Sequence, residues 1–380
     1  MSVTTTTTTS NRKPRARDLG VPFDGMPGKL NGITDVAGVE VGLSTILADA
    51  GGKAAVRTGV TVILPRGRAG VEPVFAGRFA LNGNGEMTGT AWIDESGFLE
   101  GPVAITNTHS VGAVHEALVR WQMRRSGAQP WALPVVTETW DGWLNDINGF
   151  HVRGEHVFAA LDGANSAAVA EGNTGGGTGM VAHQFKGGTG TASRVIRAVG
   201  DAGPREDDRI YAVGALVQAN YGTRAGLTIA GVPVGREITD MMPQIKGSKP
   251  AGETGSIVVI IATDAPLLPH QLRRVAMRCG LGVARNGGTG GHFSGDLFLA
   301  FSTANAGAGR TDAATVALEM LPNDRIDPIF TATIEATEEA VINAMVAAET
   351  MTGVDGNVVH ALPHERLREA IRKYNRLVEC

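Results

Sequence analysis

A serine that follows a glycine at the head of an apolar run is the first place in this chain where side chains could do covalent chemistry. Ala251-Gly-Glu-Thr-Gly-Ser256 leads without a break into Ile257-Val-Val-Ile-Ile-Ala262. A polar, glycine-bearing loop thus delivers the Ser256 hydroxyl to the start of a buried strand. Such a hydroxyl is a nucleophile when a base stands beside it; without one, a Gly-Ser pair here is an ordinary turn. Further on, Gly287-Gly-Thr-Gly-Gly-His-Phe-Ser294-Gly-Asp296 opens into a second apolar run, Leu297 to Phe301. If that strand begins by Ser294, the spacing of two puts Ser294 and Asp296 on one face, hydroxyl beside carboxylate. Taken alone, this pair too reads as a turn that introduces a strand.

The other familiar chemical patterns are missing. No GxSxG elbow and no HExxH occurs, and the nine histidines fall into no convincing ligand spacing. His360 and His364 are four apart, but Pro363 between them spoils a shared helical face. No metal and no cofactor is therefore expected. Two glycine clusters, Gly175-Gly176-Gly177-Thr178-Gly179 and Lys186-Gly187-Gly188-Thr189-Gly190, invite a phosphate-loop reading. Gly187 stands where that loop needs Ser or Thr after its Lys, so the glycines are better read as allowing close backbone passage, or as shaping a substrate pocket.

The elements that must position these residues read as buried strands and amphipathic helices. Val60 to Leu64, Val103 to Thr106, Tyr211 to Gln218, Ile257 to Ala262 and Leu297 to Ser302 are apolar on both faces, as strands in the middle of a layered fold are. Helical spacing predicts helices over Val111 to Arg124, Leu267 to Ala284, Thr337 to Thr350 and Pro363 to Leu377. Residues 1–18 combine a threonine run with a basic patch and are expected to form a flexible tail. From Leu19 to Cys380 no linker-like stretch interrupts the chain, which argues for a single catalytic domain. No repeat of solenoid length is visible.

Composition sets the outer bounds. With 380 residues, 43% hydrophobic and 19% charged, the chain is a globular protein able to bury a large core. Its 52 glycines, about 14% and roughly twice the usual share, mean that backbone geometry is specified more than side-chain bulk. The net charge of −4 with scattered basic residues offers no footprint for nucleic acid or an anionic membrane surface. Two distant cysteines, Cys279 and Cys380, with no signal-peptide pattern and no apolar run of membrane length, point to a cytoplasmic protein.

Ordered blocks along nearly the whole chain resemble the L-aminopeptidase D-amidase/D-esterase and β-peptidyl aminopeptidase family. They include Leu19-Gly-Val-Pro-Phe-Asp-Gly, Ile33-Thr-Asp-Val-Ala-Gly-Val-Glu-Val-Gly42, Gly85-Glu-Met-Thr-Gly-Thr90 and Glu138-Thr-Trp-Asp-Gly-Trp-Leu-Asn-Asp-Ile-Asn-Gly149. Phe185-Lys-Gly-Gly-Thr-Gly-Thr-Ala-Ser-Arg194, Val217-Gln-Ala-Asn-Tyr-Gly222 and Ala348-Glu-Thr-Met-Thr-Gly353 continue the series. The resemblance implies an α+β fold, a four-layer αββα sandwich like that of N-terminal-nucleophile hydrolases and ornithine acetyltransferases. It implies a precursor that cleaves itself between Gly255 and Ser256 into an α-chain of residues 1–255 and a β-chain of 256–380, with the processed units assembling into a homo-oligomer.

The same resemblance assigns the nucleophile to Ser256, a supporting hydroxyl to Ser294, a supporting carboxylate to Asp296 and an oxyanion-stabilising amide to Asn220. The family pattern has Glu where Asp296 stands, so this carboxylate is a departure with a shorter reach. Glu138 resembles the acid that holds a substrate's free amine, and Trp140 the pocket wall beside it. The expected substrates are small peptides, amides or esters with a free amino terminus, releasing L-amino acids and, in the wider reading, D- or β-amino acids. An acyltransferase of the ornithine acetyltransferase type and a non-processing binding protein are the alternatives; the former uses Thr where this chain has Ser256.

Chemistry agrees with that assignment. Gly255 lacks a Cβ and can best adopt an awkward geometry at a scissile bond. Cutting there frees the Ser256 α-amine, whose ordinary pKa of about 7.7 to 8.0 lets it take the hydroxyl proton near neutral pH.

Overall fold

The computed structural model describes residues 13–49, 55–125, 130–199, 203, 209–246 and 255–379. In chain order the strands are β1 (Glu40–Asp49), β2 (Ala55–Leu64), β3 (Val74–Ala80), β4 (Phe98–Leu99), β5 (Val103–Asn107), β6 (Val135–Thr139) and β7 (Val181–Ala182). There follow β8 (Phe185–Lys186), β9 (Gly188–Arg197), β10 (Ile210–Asn220), β11 (Ser256–Thr263), β12 (Asp296–Ser302), β13 (Met351–Thr352) and β14 (Val358–Val359). The helices are α1 (Thr90–Ser96), α2 (Val111–Gln122), α3 (Gly154–Asp162), α4 (Val234–Glu237), α5 (Pro269–Arg285), α6 (Asp327–Val346) and α7 (His364–Lys373).

Two sheets carry the architecture, one ordered β1-β2-β5-β6 and the other β4-β3-β12-β11-β10-β9. Within them β5–β6 and β11–β12 are parallel pairs. Parallel neighbours need a crossover, and in each case a helix lies between the strands in the chain, α2 in the first and α5 in the second.

Alternation along the central strands explains why they read as apolar on both faces. In β11, Ile257, Val259 and Ile261 pack with Val275 of α5 and Ala336 and Ala340 of α6. Val258, Ile260 and Ala262 turn the other way, toward Ile63, Val103, Ile105 and Val135 of the four-stranded sheet. That sheet's outer face, through Val60, Val62, Ala104 and Val136, meets Val114 and Leu118 of α2 and Val157 and Leu161 of α3. The layers therefore run helix, sheet, sheet, helix, the αββα sandwich that the resemblance implied.

Most expected elements appear within a few residues of their predicted bounds. The exception is the helix expected over Thr337 to Thr350, which spans Asp327–Val346. Its middle is buried on nearly every side, between β9 and β10 on one flank and α5 on the other, so no polar stripe marks its true start. Of the expected tail, residues 1–12 lie outside the described part. Residues 13–18 are held to the body: Ala16 is buried, its N–H donates to Asn343 Oδ1 at 3.1 Å, and Arg17 pairs with Glu339 at 2.8 Å.

The two glycine clusters pack on one another, as the close-passage reading supposed. A Cβ on Gly177 would overlap the Thr189 nitrogen, and one on Gly187 the Ala219 carbonyl oxygen. Among the described residues no helix is long and apolar enough to cross a membrane.

Candidate active site

Strand parity decides what Ser256 can face. It shares the inter-sheet side of β11 with Val258 and Ile260, and in the antiparallel β10–β11 ladder it stands directly opposite Asn220. Two residues back along β10, Gln218 Nε2 reaches across the layer to the Thr106 carbonyl at 2.9 Å and to Thr139 Oγ1 at 2.8 Å. Asn220 projects on that same side, so hydroxyl and amide are neighbours on one face.

Each is fixed by backbone groups. Ser256 Oγ accepts the Gly295 N–H at 3.1 Å. Asn220 Oδ1 accepts the Val181 N–H at 2.8 Å, while Nδ2 donates to the Trp140 carbonyl at 2.9 Å. An amide nitrogen carries two hydrogens, so a second Nδ2 donor stands beyond that bond. Gly255 permits the close packing of this junction, since a Cβ there would overlap the Asn220 carbonyl oxygen and crowd Tyr221 Cα.

Ser294 and Asp296 do meet, though not by sharing a strand. β12 begins only at Asp296; Ser294 sits in a turn closed by its own N–H on the Gly291 carbonyl at 2.9 Å. From there Ser294 Oγ donates to Asp296 Oδ1 at 2.6 Å, and both side chains are buried. Asn82 holds the carboxylate from the other side, accepting the Asp296 N–H at 2.8 Å and donating to Oδ2 at 3.4 Å. Gly295, between the pair, is the residue whose N–H touches Ser256 Oγ.

A cleft of about 600 Å³ opens over the nucleophile candidate, lined by Asn84, Gly85, Glu86, Thr108, Glu138, Trp140, Ser256 and Phe293. Glu138, next to last in β6, stands in its wall, only 3% exposed. Its Oε1 accepts the Glu86 N–H at 3.0 Å, and its Oε2 accepts the Thr108 hydroxyl. Burial holds its carboxyl above the usual Glu range, opposed by those two hydrogen bonds and raised further by the Glu86 charge. Trp140 stands edge-to-face against Trp143, ring centres 5.1 Å apart. Another pocket, about 190 Å³ beside Arg66 and Arg125, contains none of the candidate residues.

The structure thus brings Ser256, Glu138 and Trp140 to the cleft and sets Asn220, Ser294 and Asp296 behind it. Sequence reasoning missed Thr108, Asn82, Phe293 and the Gly295 N–H. Gly295 had a signal, lying between two singled-out residues; Thr108 and Asn82 had none, because they join the site only through sheet packing.

Residues 31–359 match Peptidase family S58. The chain is 51% identical over 377 residues to the beta-peptidyl aminopeptidase BapA of Sphingosinicella microcystinivorans, covering 96% of this chain and 93% of that one. The L-aminopeptidase D-Ala-esterase/amidase of Ochrobactrum anthropi, described as a prototype for serine aminopeptidases and a new variant among the Ntn hydrolase fold, superposes with a TM-score of 0.88 at 49% identity. That match covers 96% of this chain and all of the other. A Burkholderia sp. beta-aminopeptidase gives 0.84 at 49% identity, covering 95% and 99%. With most of its length matched in sequence and fold, the chain belongs to Peptidase family S58.

Proposed function

We propose that this protein is a serine aminopeptidase/amidase that cuts itself between Gly255 and Ser256 and then releases small N-terminal residues through an acyl-enzyme on Ser256. The observation that carries the reading is the cleft itself. A hydroxyl that opens a strand and a buried carboxylate, Glu138, line the same cleft, and among the described residues no basic side chain lines it. That arrangement suits a substrate with a free ammonium held a short distance from the carbonyl to be attacked. The relatives named above are peptidases, amidases or esterases acting at amino termini by their names, which supports the same substrate class.

In this reading Ser256 first attacks the Gly255 carbonyl; the C–N bond breaks, an ester forms, and water hydrolyses it to leave the chains 1–255 and 256–380. The freed α-amine of Ser256 then takes the proton from Oγ as Oγ bonds to the substrate carbonyl carbon. Asn220 Nδ2 donates to the oxyanion, the proton passes to the leaving amine, and water releases the acyl group. Ser294 and Asp296, joined to each other on either side of Gly295, support the Ser256 amine. Glu138 pairs with the substrate ammonium, and Trp140 and Phe293 wall the side-chain space.

Intact-mass analysis tests the first step and a panel of aminoacyl p-nitroanilides the second. Wild type is expected to convert from a 39.5 kDa chain into two fragments ending and beginning at Gly255 and Ser256, and Ser256→Ala to remain whole. A wild-type chain that stays intact and hydrolyses no member of the panel defeats the proposal; transfer of acetyl from acetylornithine to glutamate would put an acyltransferase in its place.

A further inference from the structure

Lys186 belongs to the glycine-rich segment that fits no phosphate loop, and its side chain is wholly buried. Its ammonium donates to two backbone carbonyls, Met180 at 2.8 Å and Gly187 at 2.9 Å. The acid that acts on it electrostatically is Asp141, itself buried. Burial depresses the Lys186 pKa to about 7 and raises that of Asp141 to about 7. A methionine would fill the same space without the desolvation cost of a charge; what the ammonium adds is a positive charge near Asp141 and two hydrogen bonds to those carbonyls.

The Met180 carbonyl and the Val181 N–H are the two ends of one planar peptide group. Its oxygen takes the Lys186 ammonium and its N–H holds Asn220 Oδ1 at 2.8 Å. A cationic donor on the oxygen strengthens the N–H as a donor, and a stronger bond to Oδ1 does the same for the Asn220 amide hydrogens. The Trp140 carbonyl takes one of those hydrogens and fixes the amide plane. The other remains for a ligand beside Ser256, across the β10–β11 ladder.

We infer that Lys186 is a positioning residue for the oxyanion site: through the Met180–Val181 peptide it holds and polarises the Asn220 amide that faces the nucleophile. The inference rests on the reading of Asn220 as oxyanion donor. Lys186 touches neither substrate nor reacting atoms.

A double-mutant cycle on the full-length protein decides it, using Lys186→Met, Asn220→Ala and the pair, with an aminoacyl p-nitroanilide as substrate. Rates are normalised to the processed fraction seen by intact mass. Lys186→Met is expected to lower kcat about tenfold, less than the loss of the whole donor, with KM within about twofold. Binding of an amino-aldehyde that forms a tetrahedral adduct on the serine should weaken by the same factor, and binding of the free amino acid product should not change. The double variant should be no slower than Asn220→Ala alone, because one path carries both effects. Losses that multiply, or a Lys186→Met chain with wild-type kcat, overturn the inference. So does a loss confined to melting temperature and KM, which is what a merely structural lysine would give. If Asn220→Ala itself keeps full kcat, the oxyanion reading fails and takes this inference with it. Should Lys186→Met not fold, Lys186→Gln, which loses the charge but keeps a donor, is read the same way, and wild-type kcat in that variant is equally fatal.

Discussion

Asn220 and Ser256 face one another across adjacent antiparallel strands, on the side that looks into the space between the two sheets. One is held through its amide oxygen by the Val181 N–H, the other through its hydroxyl by the Gly295 N–H. With the Trp140 carbonyl on the Asn220 amide nitrogen, three backbone groups hold the pair in place, the kind of preorganisation that an oxyanion site requires.

Asn220→Ala is the sharpest test of that relationship. Removing one oxyanion donor costs about 2.7 to 4 kcal/mol of transition-state stabilisation, or roughly 100- to 1,000-fold in kcat. Steady-state kinetics on an aminoacyl p-nitroanilide should show this with little change in KM. A fall in kcat/KM that comes from KM alone would remove Asn220 from the oxyanion role.

Glu138→Gln should separate binding from stability. Substrates with a free amine should lose affinity, while amine-blocked analogues, already poor, should not change. The pH profile follows from the direction of its shift. The carboxyl titrates above the ordinary value because it is buried, so the acid limb of kcat/KM lies above the usual carboxylate range and disappears in the variant. For stability, a raised folded pKa means a contribution that is complete below the unfolded value of about 4.5 and lost as pH rises through the folded one. Thermal melts should find Glu138→Gln the more stable protein near neutrality, with the advantage fading in acid.

Gly255→Ala tests the junction itself. The added Cβ would overlap the Asn220 carbonyl oxygen, and relieving such overpacking typically costs about 1 to 3 kcal/mol. The expected result is slower self-cleavage by intact mass together with a lower melting temperature. Unchanged processing would mean that the first residue before the cut has more room than its neighbours imply.

His183 gives a pH signature in stability. It is wholly buried against Tyr221, with ring centres 4.9 Å apart, and desolvation lowers its pKa from 6.5 to about 4. A lowered folded pKa gives stability that is present above the unfolded value and lost as pH falls through the folded one. Wild type should thus lose stability between about pH 6.5 and 4, with a slope from this group of up to about 1.4 kcal/mol per pH unit. His183→Asn keeps a residue suited to the positive φ of 48° found there and should flatten that limb in denaturant titrations at stepped pH.

Local pattern made much of the scaffold legible. The runs at Ile257 to Ala262 and Leu297 to Ser302 are strands because β-branched and aromatic side chains fill both faces, and α5 shows its start in Pro269 and its buried stripe in Leu272, Val275, Cys279 and Val283. Where pattern weakens, less was legible: β9 is Gly-Thr-Gly-Thr-Ala-Ser-Arg-Val-Ile-Arg, too small and polar to announce a buried strand, and α6 is buried through most of its length, polar residues such as Glu339 and Asn343 included, so its expected start fell half a helix length late.

By itself the sequence determined the layered α+β character, the family resemblance and the position of the serine that follows Gly255. These depend on short-range periodicity and on residue order, which a linear text preserves. Only the tertiary structure decided that Asn220 opposes Ser256, that Ser294 reaches Asp296 from a turn and not along a strand, and that Lys186 backs the peptide which holds Asn220. Those relations are set by strand register and by two sheets closing on each other. A register shift of one residue in the β10–β11 ladder would turn Ser256 to the face opposite Asn220.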